Sequence, residues 1–151
     1  QFHPLSLDAL NELRMYNYLY QKPDFTKIPL VHEFFRIFHN GIPYVCVAME
    51  ILGPTIYKVV RFCDPLEIPF ASHVKRNILE GLRYLHEVIG VAHLDISPSN
   101  IVFRGNFTVE RGCVPLSADI RIIDFNASEQ IDRIDGRLRF IQSYRAPEVI
   151  L

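Results

Sequence analysis

Cysteine is scarce in this 151-residue sequence, and Cys46, Cys63 and Cys113 form an odd, widely spaced set. Such a set supports neither a disulfide framework nor a zinc knuckle, and it predicts reduced thiols. Net charge is also nearly absent. Sixteen Lys and Arg against 17 Asp and Glu leave a formal charge of −1, which steers the chain toward neither nucleic acid nor an anionic membrane. No apolar run approaches the roughly 20 residues that span a bilayer, and no basic-then-apolar leader opens the sequence. The expectation is an intracellular protein, cytoplasmic or nuclear, monomeric, with neither nucleic acid nor membrane among its partners. Methionine is missing at the start, and Leu151 falls inside an apolar run, so the sequence reads as cut at both ends.

What is present is apolar material for one sizeable core: 49% of residues are hydrophobic and 22% charged, a balance that argues against disorder. Ser6 is placed to cap a helix whose first turn holds Asp8, with Leu7, Leu10 and Leu13 at helical spacing and Pro23 closing it. Apolar and aromatic runs at Leu30–Phe38 and Tyr44–Met49 flank His39-Asn40-Gly41, a turn signal that predicts an antiparallel hairpin. Cys46 then faces the core, and Tyr16, Tyr18 and Tyr20 are packing aromatics. A short helix is expected over Thr55–Phe62, followed by a loop marked by Asp64-Pro65 and Pro69.

The clearest helix carries Val74, Ile78, Leu82, Leu85 and Ile89 as one stripe, despite Gly81, which costs about 1 kcal/mol relative to alanine. Short strands at Val91-Ala92, Ile101–Phe103 and Ile120–Ile123 flank a loop-built site, and the stretch Arg104 to Asp119 reads as a surface hairpin insertion.

The chemistry concentrates in His93-Leu94-Asp95-Ile96-Ser97-Pro98-Ser99-Asn100, followed by Ile122-Ile123-Asp124-Phe125. Phosphoryl transfer needs a carboxylate at the attacking hydroxyl and oxygen ligands for Mg²⁺ on the phosphates. Asp95 and Asn100 share one loop, and Asp124 follows a strand.

Here the chain resembles the eukaryotic protein kinase family, whose catalytic loop reads H-R-D-L-K-P-x-N and whose metal loop reads D-F-G. Tyr144-Arg145-Ala146-Pro147-Glu148 is similar to the A-P-E motif in the form typical of the CMGC group, and Gly81–His86 to the end of the helix before the catalytic loop. Met49-Glu50-Ile51-Leu52-Gly53 resembles the gatekeeper and hinge of SR-protein kinases, and Asn11-Glu12-Leu13-Arg14 their αC helix. The resemblance implies an α+β, bilobal kinase-like fold, present in part. Residues 1–50 would hold αC and two strands of the N-lobe, and 51–151 the hinge, C-lobe helices, catalytic loop and activation segment.

It also implies site residues: Asp95 as the catalytic base, Asn100 and Asp124 as Mg²⁺ ligands, and Glu12 as partner of the strand-3 lysine. The Glu50 carbonyl and Leu52 amide would receive the adenine of ATP, and His93, Phe125 and Tyr16 would stack as a spine between lobes. Glu148 would anchor the activation segment. The Gly-rich loop and strand-3 lysine would lie before Gln1, so this chain alone is not expected to be a complete catalyst. The implied activity is Mg-ATP-dependent phosphorylation of a protein serine or threonine hydroxyl.

Four positions depart from the family pattern. Ser97 replaces the catalytic-loop lysine and removes a full positive charge where charge stabilisation dominates catalysis. Either Asn126 replaces the metal-loop glycine or one residue is deleted there, and Ile141 stands where a threonine or serine is usual, with Ser143 as the alternative if the loop is re-spaced. Leu94 replaces the arginine that a phosphorylated activation loop neutralises, so phosphorylation is not expected to be the switch, and phosphomimetic changes at Ser128 or Ser143 are expected to leave the rate unchanged. These departures keep a rival reading open, a catalytically impaired pseudokinase or nucleotide-binding scaffold. A small-molecule kinase of the aminoglycoside or choline type shares the loop motif but lacks an A-P-E ending, and a docking or folding module is the remaining alternative.

Overall fold

The computed structural model describes residues 2–4, 6–22, 26–62, 67–105 and 117–134. Helix α1, Leu7–Leu19, starts where Ser6 leaves the extended region and its Oγ accepts the Ala9 N–H at 3.2 Å. Its buried face is Ala9, Glu12, Met15, Tyr16 and Leu19, whereas Leu7 and Leu10 point to solvent. The leucine repeat that marks the segment as helical is thus not the stripe that packs. Tyr20 caps the C-terminus, and Pro23 lies outside the described residues.

Strands β2, Val31–His39, and β3, Ile42–Met49, pair antiparallel around Asn40 and Gly41, whose φ values of 51° and 75° make the two-residue turn their side chains tolerate best. Strand β1, Phe2–Pro4, pairs with the other edge of β3, giving the order β1-β3-β2. Cys46 is buried on β3, as its sequence context suggested.

Past Glu50 a second sheet begins. Strand β4, Leu52–Thr55, pairs with β6, Ile101–Arg104, and β6 with β7, Ile120–Ile122, all antiparallel. The Arg104 N–H donates to the Asp119 carbonyl at 3.0 Å, so the ends of the expected hairpin meet; residues 106–116 lie outside the described set. Thr55 Oγ1 accepts the Lys58 N–H at the start of α2, Ile56–Phe62.

Helix α3 runs Ile68–Arg83. Pro69 sits in its first turn and not in a loop, because a first-turn N–H has no intrahelical acceptor and proline loses nothing there. The stripe continues through a π-helical turn, Tyr84–Ile89, that ends at Gly90 with φ 76°. Gly81 is buried against β7: a Cβ there would fall 2.9 Å from Ile122 Cδ1 and 3.2 Å from Lys27 Cβ. Strand β5, Val91–Ala92, pairs with β8, Glu129–Gln130. The core joins α1 to these elements through Met15, Tyr16, Leu85, Ile101, Ile122 and Phe125, among others, an α+β arrangement.

Candidate active site

His93 leaves β5 fully buried, and its ring is tied at both nitrogens. The Asp95 N–H donates to Nδ1 at 3.3 Å, and Nε2 lies 3.0 Å from the Ile123 carbonyl. An accepting Nδ1 and a donating Nε2 define a neutral imidazole, and burial lowers its pKa to about 4. His93 is therefore a core and orienting group rather than a base. Its ring meets Phe125 at 4.9 Å, and Phe125 meets Tyr16 at 5.5 Å. The three side chains expected to form a spine meet ring to ring, tilted or edge-on, from the loop after β5, through the segment after β7, to α1.

Leu94 follows with φ 64°, a left-handed turn unusual for leucine, and so delivers Asp95. Asn100 holds that aspartate twice: its Nδ2 donates to the Asp95 carbonyl at 2.9 Å and to Oδ2 at 2.8 Å. The loop closes through the Asn100 N–H to the Ser97 carbonyl at 3.0 Å, and it is joined to the metal-loop strand by the Ile123 N–H to the Asn100 carbonyl at 2.9 Å. Ser97 is buried beside them.

Asp124 also adopts a left-handed backbone, φ 67°, between Ile123 and the buried Phe125. Its charge reaches two other carboxyls. Glu12, buried on α1, is raised to about 7, mainly by desolvation and further by Asp124. Asp95 is raised by burial and by Asp124, against the opposing hydrogen bond from Asn100. Asp95 Oδ1 is enclosed and accepts no hydrogen bond among the described residues.

These residues fit a magnesium-bound nucleotide in kind. Asn100 spends its amide nitrogen on Asp95, which leaves its amide oxygen, together with Asp124, as hard oxygen donors of the type Mg²⁺ takes. The Asp124 charge raises both Glu12 and Asp95, a repulsion that a divalent cation would relieve.

The Glu50 side chain has a role that its motif did not disclose. Its side chain accepts the Leu30 N–H at 3.0 Å and pairs with Arg121 at 3.1 Å and Arg104 at 3.3 Å. Burial would raise this carboxyl, but the Leu30 amide and the two arginines together hold it below its ordinary value. A charged residue in the middle of the apolar Ile120-Arg121-Ile122 was the sequence signal for this pair. Leu52 lies on β4, in register with Arg104.

Three further anchors were not anticipated. Asn11 Nδ2 donates to the carbonyls of Asn126 at 2.7 Å and Ser128 at 3.1 Å, and Arg14 pairs with both oxygens of Glu129 at 2.9 and 3.1 Å. Ser128 is fully buried and its Oγ donates to the His93 carbonyl at 3.1 Å. A charge placed at Ser128 would be buried, so a phosphomimetic residue there is expected to disturb the packing of this turn. Tyr144 to Glu148, Ile141 and Ser143 lie outside the described residues.

Comparison with known proteins identifies the family. The sequence profile of the protein kinase domain matches residues 11–151. The mitogen-activated protein kinase mpkC of Aspergillus terreus is 32% identical over 116 residues, covering 76% of this chain and 28% of that protein. The dual specificity protein kinase CLK4 of Homo sapiens is 29% identical over 123 residues, covering 75% of this chain and 25% of that protein. The serine/threonine-protein kinase AFC3 of Arabidopsis thaliana is 28% identical over 123 residues, with 72% and 30% covered. A crystal structure of a kinase domain superposes with a TM-score of 0.71 at 24% identity, over 91% of this chain and 45% of that one. The chain thus spans 25% to 30% of the length of these curated relatives. It belongs to the protein kinase domain family, with CMGC-type kinases among its relatives, and carries part of that α+β fold.

Proposed function

We propose that the protein containing this chain is a Mg-ATP-dependent protein kinase that phosphorylates a serine or threonine hydroxyl of a protein substrate. The observation that carries the reading is the double hydrogen bond from Asn100 to Asp95 beside a free, enclosed Asp95 Oδ1. Asp95 would orient the substrate hydroxyl through that oxygen and draw off its proton, and a carboxyl raised above its ordinary value is the better base. Asn100 fixes the Asp95 rotamer and, with Asp124, would hold the metal. The bound Mg-ATP would supply the phosphoryl group and neutralise its charge. Residues 1–50 would contribute to an N-lobe and 51–151 to the hinge and C-lobe, with Glu50 and Leu52 facing the adenine and Glu12 turned to the phosphates.

The test is phosphoryl transfer by the complete protein to Ser/Arg peptides. Transfer that Asp95→Asn abolishes is the expected result. A second reading, a nucleotide-binding pseudokinase, is favoured by the buried Ser97 at the position of the family's lysine. Mg²⁺-dependent nucleotide binding with no transfer, unaffected by Asp95→Asn, would establish that reading instead.

A further inference from the structure

We infer that Asn11 is a positioning residue for the segment after Asp124, fastening it to α1 in a way that needs no phosphorylation; this deepens the kinase reading and rests on it. One amide nitrogen, on the partly buried face of α1, spends its two hydrogens on two carbonyls of the same turn, those of Asn126 and Ser128. Donor and acceptors lie 115 and 117 residues apart, so the two bonds tie α1 to a segment remote in sequence.

The turn is held from two other directions as well. The Ser128 N–H donates to the Phe125 carbonyl at 3.2 Å, and its Oγ to the carbonyl of His93. One helical turn after Asn11, Arg14 grips Glu129, whose backbone lies in β8 opposite Ala92. The segment after Asp124 is therefore fastened on one side to the helix holding Glu12 and on the other to the loop holding Asp95. Each contact joins groups the chain already carries. Arg14 is engaged by Glu129, and Leu94 offers no cation, so an added phosphate is not required to draw α1 onto the segment.

Asn11→Asp keeps the size of the side chain and removes both donors, and Asn11→Ala removes the group with less electrostatic penalty. The complete protein is compared with both by hydrogen exchange without ligand, before and after phosphatase treatment. The expected result is a roughly tenfold rise in exchange confined to residues 124–130, with α3 unchanged and no effect of phosphatase. A second readout is nucleotide affinity with and without Mg²⁺, where the variants lose the Mg²⁺-dependent increment and keep the metal-free affinity.

Unchanged exchange over 124–130 in both variants overturns the inference, and so does a rise spread evenly over the whole protein. A phosphatase-induced rise in the unmodified protein overturns the independence from phosphorylation. Failure of the unmodified protein to bind nucleotide at all would count against the kinase reading, and the exchange result would still decide the role of Asn11.

Discussion

Arg121 reaches from the centre of β7 to the carboxylate of Glu50, Nε to Oε1 at 3.1 Å, with its side chain 6% exposed. Glu50 joins β3 to β4, so the pair crosses from the first sheet to the second at the segment that resembles a kinase hinge. Asp119 takes the other end of the guanidinium at 2.9 Å, and Leu30 gives Glu50 a backbone donor. Each charge is paired and hydrogen-bonded, the condition under which a nearly buried arginine is tolerated.

Removing one side of that pair should be costly. Arg121→Met leaves Glu50 and Asp119 sharing Arg104, with Lys27 also beside Asp119, and stability should fall by about 3 kcal/mol, near the lower end for broken buried pairs because both acids keep another cation and some solvent. Urea unfolding measures the loss. A double-mutant cycle with Glu50→Gln should give a coupling above about 1 kcal/mol, and additivity would mean that the pair ties nothing together.

Acid should destabilise the fold through His93. Its pKa is lowered from 6.5 to about 4, chiefly by burial, so below 6.5 the unfolded chain binds a proton that the folded one refuses. The contribution is whole above pH 6.5 and is lost as pH falls toward 4, about 3 kcal/mol across the window. Glu50, held below its ordinary 4.5, adds a loss at the acid end of the same range. Glu12, raised from 4.5 to about 7, gains stability over the same window and offsets this loss, so the His93 contribution is read as the difference in unfolding free energy between the parent and His93→Gln, which should shrink from pH 7.5 through 6 to 5. A His93 ring signal that titrates near 6.5 in the folded protein would refute the argument.

Local chemistry explains which parts of this structure were legible in the sequence. Ser6 and Ala9 are three residues apart, and Asn40-Gly41 needs only its own backbone preferences, so the α1 start and the hairpin followed from short windows. Asp95 and Asn100 share a loop, and their hydrogen bonds span five residues. The contacts that lock these pieces together are remote in sequence. Nothing near Asn11 indicates Asn126, and Glu50 and Arg121 are 71 residues apart. Leu7, Leu10 and Leu13 show the complementary failure, since spacing reveals a helix but not which face its neighbours cover. Strand β4 was not anticipated, since Leu52 and Gly53 fell in the segment resembling a hinge, and Pro54 is accommodated because β4 is an edge strand.

Gly81 sets how closely α3 approaches β7. The nearest neighbour of an added Cβ is the mobile end of Ile122, while Lys27 Cβ, at 3.2 Å, must shift slightly. Gly81→Ala should therefore stay within about 1 kcal/mol of the parent, crowding being offset by helix propensity. Gly81→Leu has no such room and should lose roughly 2 to 3 kcal/mol by overpacking. Thermal unfolding of the two variants separates the cases, and a leucine tolerated as well as alanine would mean that helix and strand are not in close contact.

Ser128 offers the sharpest test of how tightly the segment after Asp124 is seated. Its side chain is 1% exposed and its hydroxyl serves the His93 carbonyl, one residue before the left-handed turn at Leu94. Ser128→Ala leaves that carbonyl without its donor and should cost about 1 to 2 kcal/mol. Ser128→Glu must either bury a carboxylate or expel the turn, so it should cost more than about 3 kcal/mol and release the segment that carries Phe125 from the stack with His93 and Tyr16. Both losses are read as shifts in unfolding midpoint, and nucleotide affinity should fall for glutamate and hardly for alanine. For the same reason Ser128 should resist modification by an added protein kinase in the folded protein and accept it after denaturation, which mass spectrometry resolves. Equal melting temperatures for the glutamate variant and its parent would show that this hydroxyl is not packed as described, and the contacts drawn from Asn11 to the same turn would lose their footing with it.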